Sequence, residues 1–126
     1  MILLLTLLTN ALEAIYEGLY DNGKKTISGI IEFVQKLIGI TTVAYVTYGL
    51  TVGTIDIPLW KIITGFVLIR FLIFDYIYNK TRGIPLYYTG TTKLYDKLLS
   101  KVPGHFILFV KVILGIVGTI FLLNLN

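Results

Sequence analysis

Ionisable side chains within apolar, helix-like segments are the first candidates for chemistry in this sequence. They are Glu13, Glu17, Glu32, Lys36, Arg70, Asp75 and Lys111. Two neighbouring carboxylates can act as a general acid and base, and acids and bases at one depth of a membrane can carry ions or protons. Pairing between these acids and bases accounts for the same residues without a reaction. We therefore interpret them as a structural set and expect no catalytic residue among them.

Motifs for catalysis or metal binding are absent from the sequence. Cysteine does not occur, which excludes disulfides, thiolate metal sites and a thiol nucleophile. The single histidine, His105, has no second type of metal ligand near it in sequence. The sequence contains no phosphate-binding loop, nucleophile elbow or HExxH motif. We expect no metal and no cofactor, and an enzyme is the less favoured class.

Composition points to a protein of the lipid bilayer. Hydrophobic residues make up 56% of the 126 residues and the mean hydropathy is +0.82, against roughly 45–50% apolar residues in soluble domains. The net charge of +4 also permits nucleic-acid binding, but basic loops beside apolar spans are more typical of membrane sidedness or lipid headgroup contact. We predict an all-α integral membrane bundle, with residues 1–126 as a single domain, membrane lipids as partners and no nucleic acid.

Periodicity predicts four long helices, of which three or four span the membrane, and one short amphipathic helix. The long helices cover residues 1–20, about 26–52, 58–79 and 105–123, and the short one covers about 92–100. The first helix carries a narrow polar stripe of Thr6, Thr9, Asn10, Glu13 and Glu17. The helix either spans with this stripe toward other helices or lies in the interface with the stripe in water, and the narrowness favours spanning.

Glycines within these helices are expected to let neighbouring helices approach closely, because small residues do so in bilayers. The predicted packing positions are Gly39, Gly49, Gly115 and Gly118.

Basic residues gather in the first and third connections, which four spanning helices place on the same side of the membrane. They are Lys24, Lys25, Lys80, Arg82, Lys93, Lys97 and Lys101. The positive-inside rule predicts that both connections are cytoplasmic and both termini are outside. If the first helix lies in the interface instead, only the N-terminus changes side.

This orientation places Glu13, Glu32, Arg70, Asp75 and Lys111 at similar depth, within roughly 5–15 Å of the cytoplasmic ends at 1.5 Å per residue. Glu17 and Lys36 lie at or near the same level. Because charges facing lipid are costly, we predict that these groups form an ionic layer inside the bundle. Arg70 is expected to pair with Glu13, Glu32 or Asp75.

The connection after the third helix combines bases and aromatic residues, as an interfacial loop or a headgroup-contact site does. Its candidate residues are Asn79, Arg82, Tyr87, Tyr88, Lys93, Lys97 and Lys101. They can grip a lipid phosphate or a glycan, or form an aromatic belt that fixes the loop at the membrane surface, which we favour.

A resemblance to a known group attaches to this region. Its pattern is Arg70-x4-Asp75-x3-Asn79-x-Thr81-Arg82-Gly83-x-Pro85-x2-Tyr88-x-Gly90-Thr91-Thr92-x2-Tyr95-Asp96. The stretch resembles a segment of small uncharacterised integral membrane proteins encoded by phages and prophages. The resemblance covers about a fifth of the chain and brings no known active site. It implies a phage setting with a holin or a membrane partner protein, although the charged C-terminal tail of holins is missing.

Three functions follow as expectations. The favoured one is a non-enzymatic integral membrane protein that acts as a homo-oligomer or as a subunit of a larger membrane complex, with a holin-like pore lined by the polar stripe as one version. The second is a membrane enzyme or binder of a lipid-linked or phosphate-bearing substrate at the cytoplasmic face, through Arg82, Lys93, Tyr87, Tyr88 and Asp75. The third is an ion or proton conductor that uses Arg70 and the acids.

Overall fold

The computed structural model describes residues 1–86 and 101–125, and it is helical throughout except for turns and short connections. The helices are α1 (Ile2–Asp21), α2 (Lys25–Thr51), α3 (Leu59–Arg82) and α4 (Gly104–Leu122). The prediction of four long helices is therefore confirmed. The predicted short amphipathic helix at 92–100 lies outside the described residues.

The third helix continues beyond its predicted end at Asn79. It ends at Gly83, which takes a left-handed conformation with φ of +69°. The Gly83 N–H donates to the Lys80 carbonyl at 3.1 Å, and the Ile84 N–H donates to the Asn79 carbonyl at 3.0 Å. Because glycine takes this conformation without a steric penalty, Gly83 closes the last helical turn and sets the end of α3.

The helices lie side by side in the order α2, α1, α3, α4. α1 packs against α2 on one side and α3 on the other, and α3 packs against α4, with a lesser contact between α1 and α4. Side-chain contacts near Asp21 and Arg82 join the ends of α1 and α3, so these two helices run in the same direction. The chain thus passes up and down in alternation. We call the end where α1 and α3 finish and α2 and α4 begin the basic end, because Lys24, Lys25, Lys80, Arg82 and Lys101 lie there.

Burial differs from that of a protein folded in water, because polar side chains share the interior and large apolar side chains cover the outside. Fully buried side chains include Thr6, Asn10, Ser28 and Asn79, residue types that are mostly exposed in soluble proteins. Large apolar side chains are exposed along every helix, with Ile40 of α2 68% exposed. In the described part of the chain, α1, α2 and α4 are each long and apolar enough to cross a membrane.

A small apolar cluster joins α1, α3 and α4 and extends from the ends opposite the basic end to the middle of α3. It consists of Ile2 of α1, Ile62 and Ile69 of α3, and Leu122 of α4. The cluster is continuous from α1 to α4, so these three helices pack against one another there.

Candidate functional site

Arg70 of α3 and Glu13 of α1 form a two-pronged ion pair between adjacent helices. Arg70 Nη2 donates to Glu13 Oε1 at 2.9 Å, and Nη1 donates to the second carboxylate oxygen. Nη1 also lies 3.4 Å from Asn10 Oδ1, one turn earlier on α1. The guanidinium carbon is 4.4 Å from the ring centroid of Phe74, one turn later on α3. Three hydrogen bonds and a cation–π contact therefore hold one arginine at the α1–α3 interface.

A second ion pair joins α3 to α4. Lys111 Nζ donates to Asp75 Oδ2, and the Lys111 side chain is 15% exposed. Asp75 follows Arg70 by five residues, a rotation of roughly 140° around a helix of 3.6 residues per turn. The two charges therefore leave α3 on different sides, Arg70 toward α1 and Asp75 toward α4.

The remaining charges of the predicted ionic layer lie apart from these two pairs. Glu32 and Lys36 pair with each other along α2 at 2.7 Å, with side chains 39% and 65% exposed. Glu17 lines a cavity of about 360 Å³ between α1 and α2, together with Asp21 and Glu32. The structure thus brings Arg70 to Glu13 and Asp75 to Lys111, while Glu32 and Lys36 stay on the outer helix.

A polar network closes the basic end between α1 and α3. The Tyr78 hydroxyl donates to Asp21, and Arg82 Nη1 donates to the Tyr78 hydroxyl at 3.1 Å. Arg82 Nε lies 3.8 Å from the Asp21 carboxylate. Asn22 Nδ2 donates to the Thr81 carbonyl at 2.8 Å. Arg82, a candidate headgroup contact, is therefore engaged within the chain.

The other candidate loop residues differ in their placement. Asn79 is buried, and its Nδ2 donates to the Leu86 carbonyl at 3.2 Å, which fixes the start of the loop. Lys101 is exposed. Tyr87, Tyr88, Lys93 and Lys97 lie outside the described residues.

Two glycines bring the backbones of α3 and α4 close together. A Cβ built on Gly118 would lie 3.0 Å from the Gly65 carbonyl oxygen, and one built on Gly65 would lie 2.9 Å from the Gly118 carbonyl oxygen. Gly115 faces Leu72 in the same interface, and Gly49 faces Ile55. At the predicted packing position Gly39, no atom of the described residues lies within 4 Å of a would-be Cβ.

Two close contacts were missed from the sequence, at Gly65 and at Gly18, where a Cβ would lie 2.8 Å from Thr81 Cβ. Each is a small residue at a helix position where its neighbours are mostly large. The difference in size between each glycine and its neighbours in sequence is the signal by which these contacts could have been predicted.

The polar stripe of α1 faces inward. Thr6 and Asn10 are fully buried and Thr9 nearly so. Asn10 Nδ2 donates to the Thr6 carbonyl at 2.9 Å and Thr9 Oγ1 to the Leu5 carbonyl at 2.8 Å. These groups satisfy their hydrogen bonds locally, so the buried part of the stripe needs no separate ligand.

The described residues contain no group of three or more His, Cys, Asp or Glu side chains able to hold a metal ion. The charges between the helices are neutralised in pairs. Such pairs position helices and set their register. A reaction on a substrate would require at least one of these ion pairs to break first.

Comparison of the chain with protein-family models, with curated proteins and with solved structures finds no match. The function proposed below therefore rests on the geometry of this chain.

Proposed function

We propose that this chain is an integral membrane protein whose four helices all cross the bilayer, and that it acts by assembling into a homo-oligomer or a larger membrane complex without catalysing a reaction. The observation that supports this most is the extent of the exposed apolar surface around an interior that contains polar side chains. Polar side chains such as Asn10 and Asn79 lie inside, and side chains such as Ile40, Val43 and Phe109 lie outside. An exposed apolar surface of this extent requires lipid or other apolar helices around it.

Hydrogen bonding supports the same proposal. No buried side-chain nitrogen or oxygen atom among the described residues lacks a hydrogen-bond partner. The backbone of the four long segments is helical, which satisfies its N–H and C=O groups within each segment. A hydrocarbon environment imposes this requirement because it supplies no hydrogen bonds.

The charged helix α3 fits a bilayer because of where its charges lie. Arg70 and Asp75 pair with α1 and α4. Lys61 lies near the opposite end of α3 and donates to Asn124 Oδ1 at 3.0 Å. Since intramembrane charges are tolerated when they are paired inside a bundle or reach the interface, α3 is the central spanning helix of the proposal.

Sidedness follows from the basic end. Lys24, Lys25, Lys80, Arg82 and Lys101 lie there, and the other end contributes Asp56 and Lys61 among the described residues. The excess of lysine and arginine assigns the basic end to the cytoplasm.

Assembly is favoured over the other expected functions. Thr6 and Asn10 are buried within one chain, so they are not available to line a pore between copies. Arg82 is held by Asp21 and Tyr78, which reduces its attraction for a phosphate. A holin-like role in a phage setting is suggested by the resemblance of residues 70–96, and no contact in the described part of the chain adds support to it.

Membrane fractionation and mass measurement test the proposal. The full chain is expected to stay in the membrane pellet after alkaline carbonate and to leave it only with detergent. In detergent, light scattering is expected to give a protein mass at least twice the 14.2 kDa of one chain. A chain recovered as a monomer without detergent would contradict the proposal.

A matched pair of variants sharpens this test. Ile116 is 55% exposed on α4, and Ile116→Arg places a charge where we propose lipid, at a cost of about 3 kcal/mol for insertion. His105→Arg adds the same side chain at the exposed start of α4. Ile116→Arg is expected to reduce the membrane-inserted fraction strongly and His105→Arg to leave it unchanged. Equal insertion of both would count against lipid at Ile116.

A further inference from the structure

The outer helix α2 has a nearly complete free surface. It packs against α1, and of its side chains and glycines only Ser28 and Gly49 are buried. Ile40 and Val43 are more than half exposed at the middle of the helix. A second helix can therefore lie along α2 without displacing any helix of the described chain.

The free face of α2 alternates small and large side chains. An open, shallow cavity lies along it, and Gly39, Ala44, Thr47 and Thr51 are the small residues that line it. Larger side chains, Lys36, Ile40 and Tyr48, line the same cavity. Small residues between large ones are typical of helix surfaces that pack closely in bilayers.

The same helix carries an exposed ion pair. Glu32 and Lys36 lie 7 and 11 residues after Lys25, or roughly 10 and 17 Å along the helix at 1.5 Å per residue. Their side chains are more than a third exposed, Lys36 on the free face and Glu32 at the edge of the cavity shared with α1. An ion pair facing lipid at this depth is costly, so a partner that presents both charges at the same level lowers the free energy.

We propose that a second copy of this chain docks on α2, with the two α2 helices parallel and Glu32 of each copy beside Lys36 of the other. Copies inserted with the same sidedness bring identical residues to the same depth, and a two-fold axis along the membrane normal then forms the Glu32–Lys36 contact twice, once from each copy, across a step of roughly 6 Å along the helices. The proposal deepens the assembly function proposed above, and it rests on that function. An acyl chain would cover Ile40 and Val43 but would offer no charge to Glu32 or Lys36.

Cysteine cross-linking tests the surface, since the chain contains no cysteine. Ile40→Cys, in the proposed interface, is expected to form disulfide-linked dimers in native membranes several-fold faster than Ile116→Cys, at similar depth on the outward face of α4. Equal rates at the two positions would overturn the proposal. Light scattering of the same detergent-solubilised samples separates failure of the α2 surface from failure of the assembly function. Oligomers without Ile40 cross-linking overturn only the α2 surface, whereas monomers also overturn the assembly function.

Charge variants test the pairing between copies in the Ile40→Cys background. Glu32→Lys and Lys36→Glu each break the pair within one chain and place like charges across the interface. Each alone is expected to lower cross-linking by roughly tenfold. Co-expression of the two is expected to restore it in mixed dimers, because only the contact between copies is then complementary. The pairing would be overturned if both variants insert into the membrane and cross-link as fast as the Ile40→Cys chain. It would also be overturned if co-expression of the two variants does not restore cross-linking.

Discussion

Arg70→Leu is expected to lower the free energy of unfolding by about 3 kcal/mol, the low end of the range for breaking a buried ion pair, because the Arg70 side chain is 37% exposed. The substitution leaves the Glu13 carboxylate between α1 and α3 without the two guanidinium hydrogen bonds that now bind it. It also removes the contact with Phe74. The measurement is unfolding of the detergent-solubilised protein by increasing denaturing detergent, followed by circular dichroism.

Two controls separate the loss of an ion pair from the loss of a side chain. The double variant Glu13→Leu with Arg70→Leu is expected to recover most of the lost stability, because no charge then remains unpaired at the α1–α3 interface. Lys101→Leu removes an exposed base at the basic end and is expected to change the free energy of unfolding by less than about 0.5 kcal/mol. A single Arg70→Leu as stable as the unaltered chain would show that the α1–α3 pair contributes nothing to the fold.

Gly118→Val is expected to cost about 3 kcal/mol through overpacking of the α3–α4 interface. A Cβ at this position would lie 3.0 Å from the Gly65 carbonyl oxygen and 3.0 Å from Leu68 Cβ. Because one of these neighbours is backbone, the new methyl groups fit only if the two helices separate. Separation would also lengthen the Lys111–Asp75 contact in the same interface. The same detergent unfolding measurement applies.

Gly29→Val is the matched control for Gly118→Val. Gly29 lies on α2 with nothing within 4 Å of its would-be Cβ among the described residues. Valine and glycine differ by less than about 0.5 kcal/mol in helix propensity, so the expected change in stability is small. Equal losses at the two positions would assign the effect to helix propensity and would exclude close α3–α4 packing as its cause.

The helix ends were predictable from residues with strong local preferences. Asp21-Asn22-Gly23 ends α1, and Pro58 and Pro103 directly precede α3 and α4. Proline at a helix start and glycine after a helix end act through their own backbone, without help from distant contacts. The end of α3 was placed too early because Asn79 resembles a loop residue, whereas Asn79 is buried and Gly83 ends the helix.

The partner of Arg70 was not predictable because the order of neighbouring helices leaves little trace in the sequence. Glu13, Glu32 and Asp75 come to similar depth, and three helices offer an acid there. The structure places α1 beside α3 and leaves α2 on the far side of α1, so Glu13 contacts Arg70 and Glu32 does not. The five-residue step from Arg70 to Asp75 does carry information, since it turns the two side chains to different neighbours.

The two interhelical pairs give the bundle its register. Arg70 binds α1 and Asp75 binds α4, so sliding either neighbour along α3 by one turn would leave two charges unpaired. In the membrane placement proposed above such a slip would be costly, whereas apolar faces alone would tolerate it. The ion pairs lie between the helices, so the outer surface of the bundle stays largely apolar.

Sidedness labelling tests most directly whether the chain crosses the bilayer as proposed. Single cysteines at Asn22, Thr54 and Ile84 lie in the connections after α1, α2 and α3 in the cysteine-free chain. A membrane-impermeant maleimide added to intact cells is expected to label Thr54→Cys, and to label Asn22→Cys and Ile84→Cys only after permeabilisation. Labelling of all three positions from the same side, or in a fraction that is not bound to membrane, would contradict four crossings.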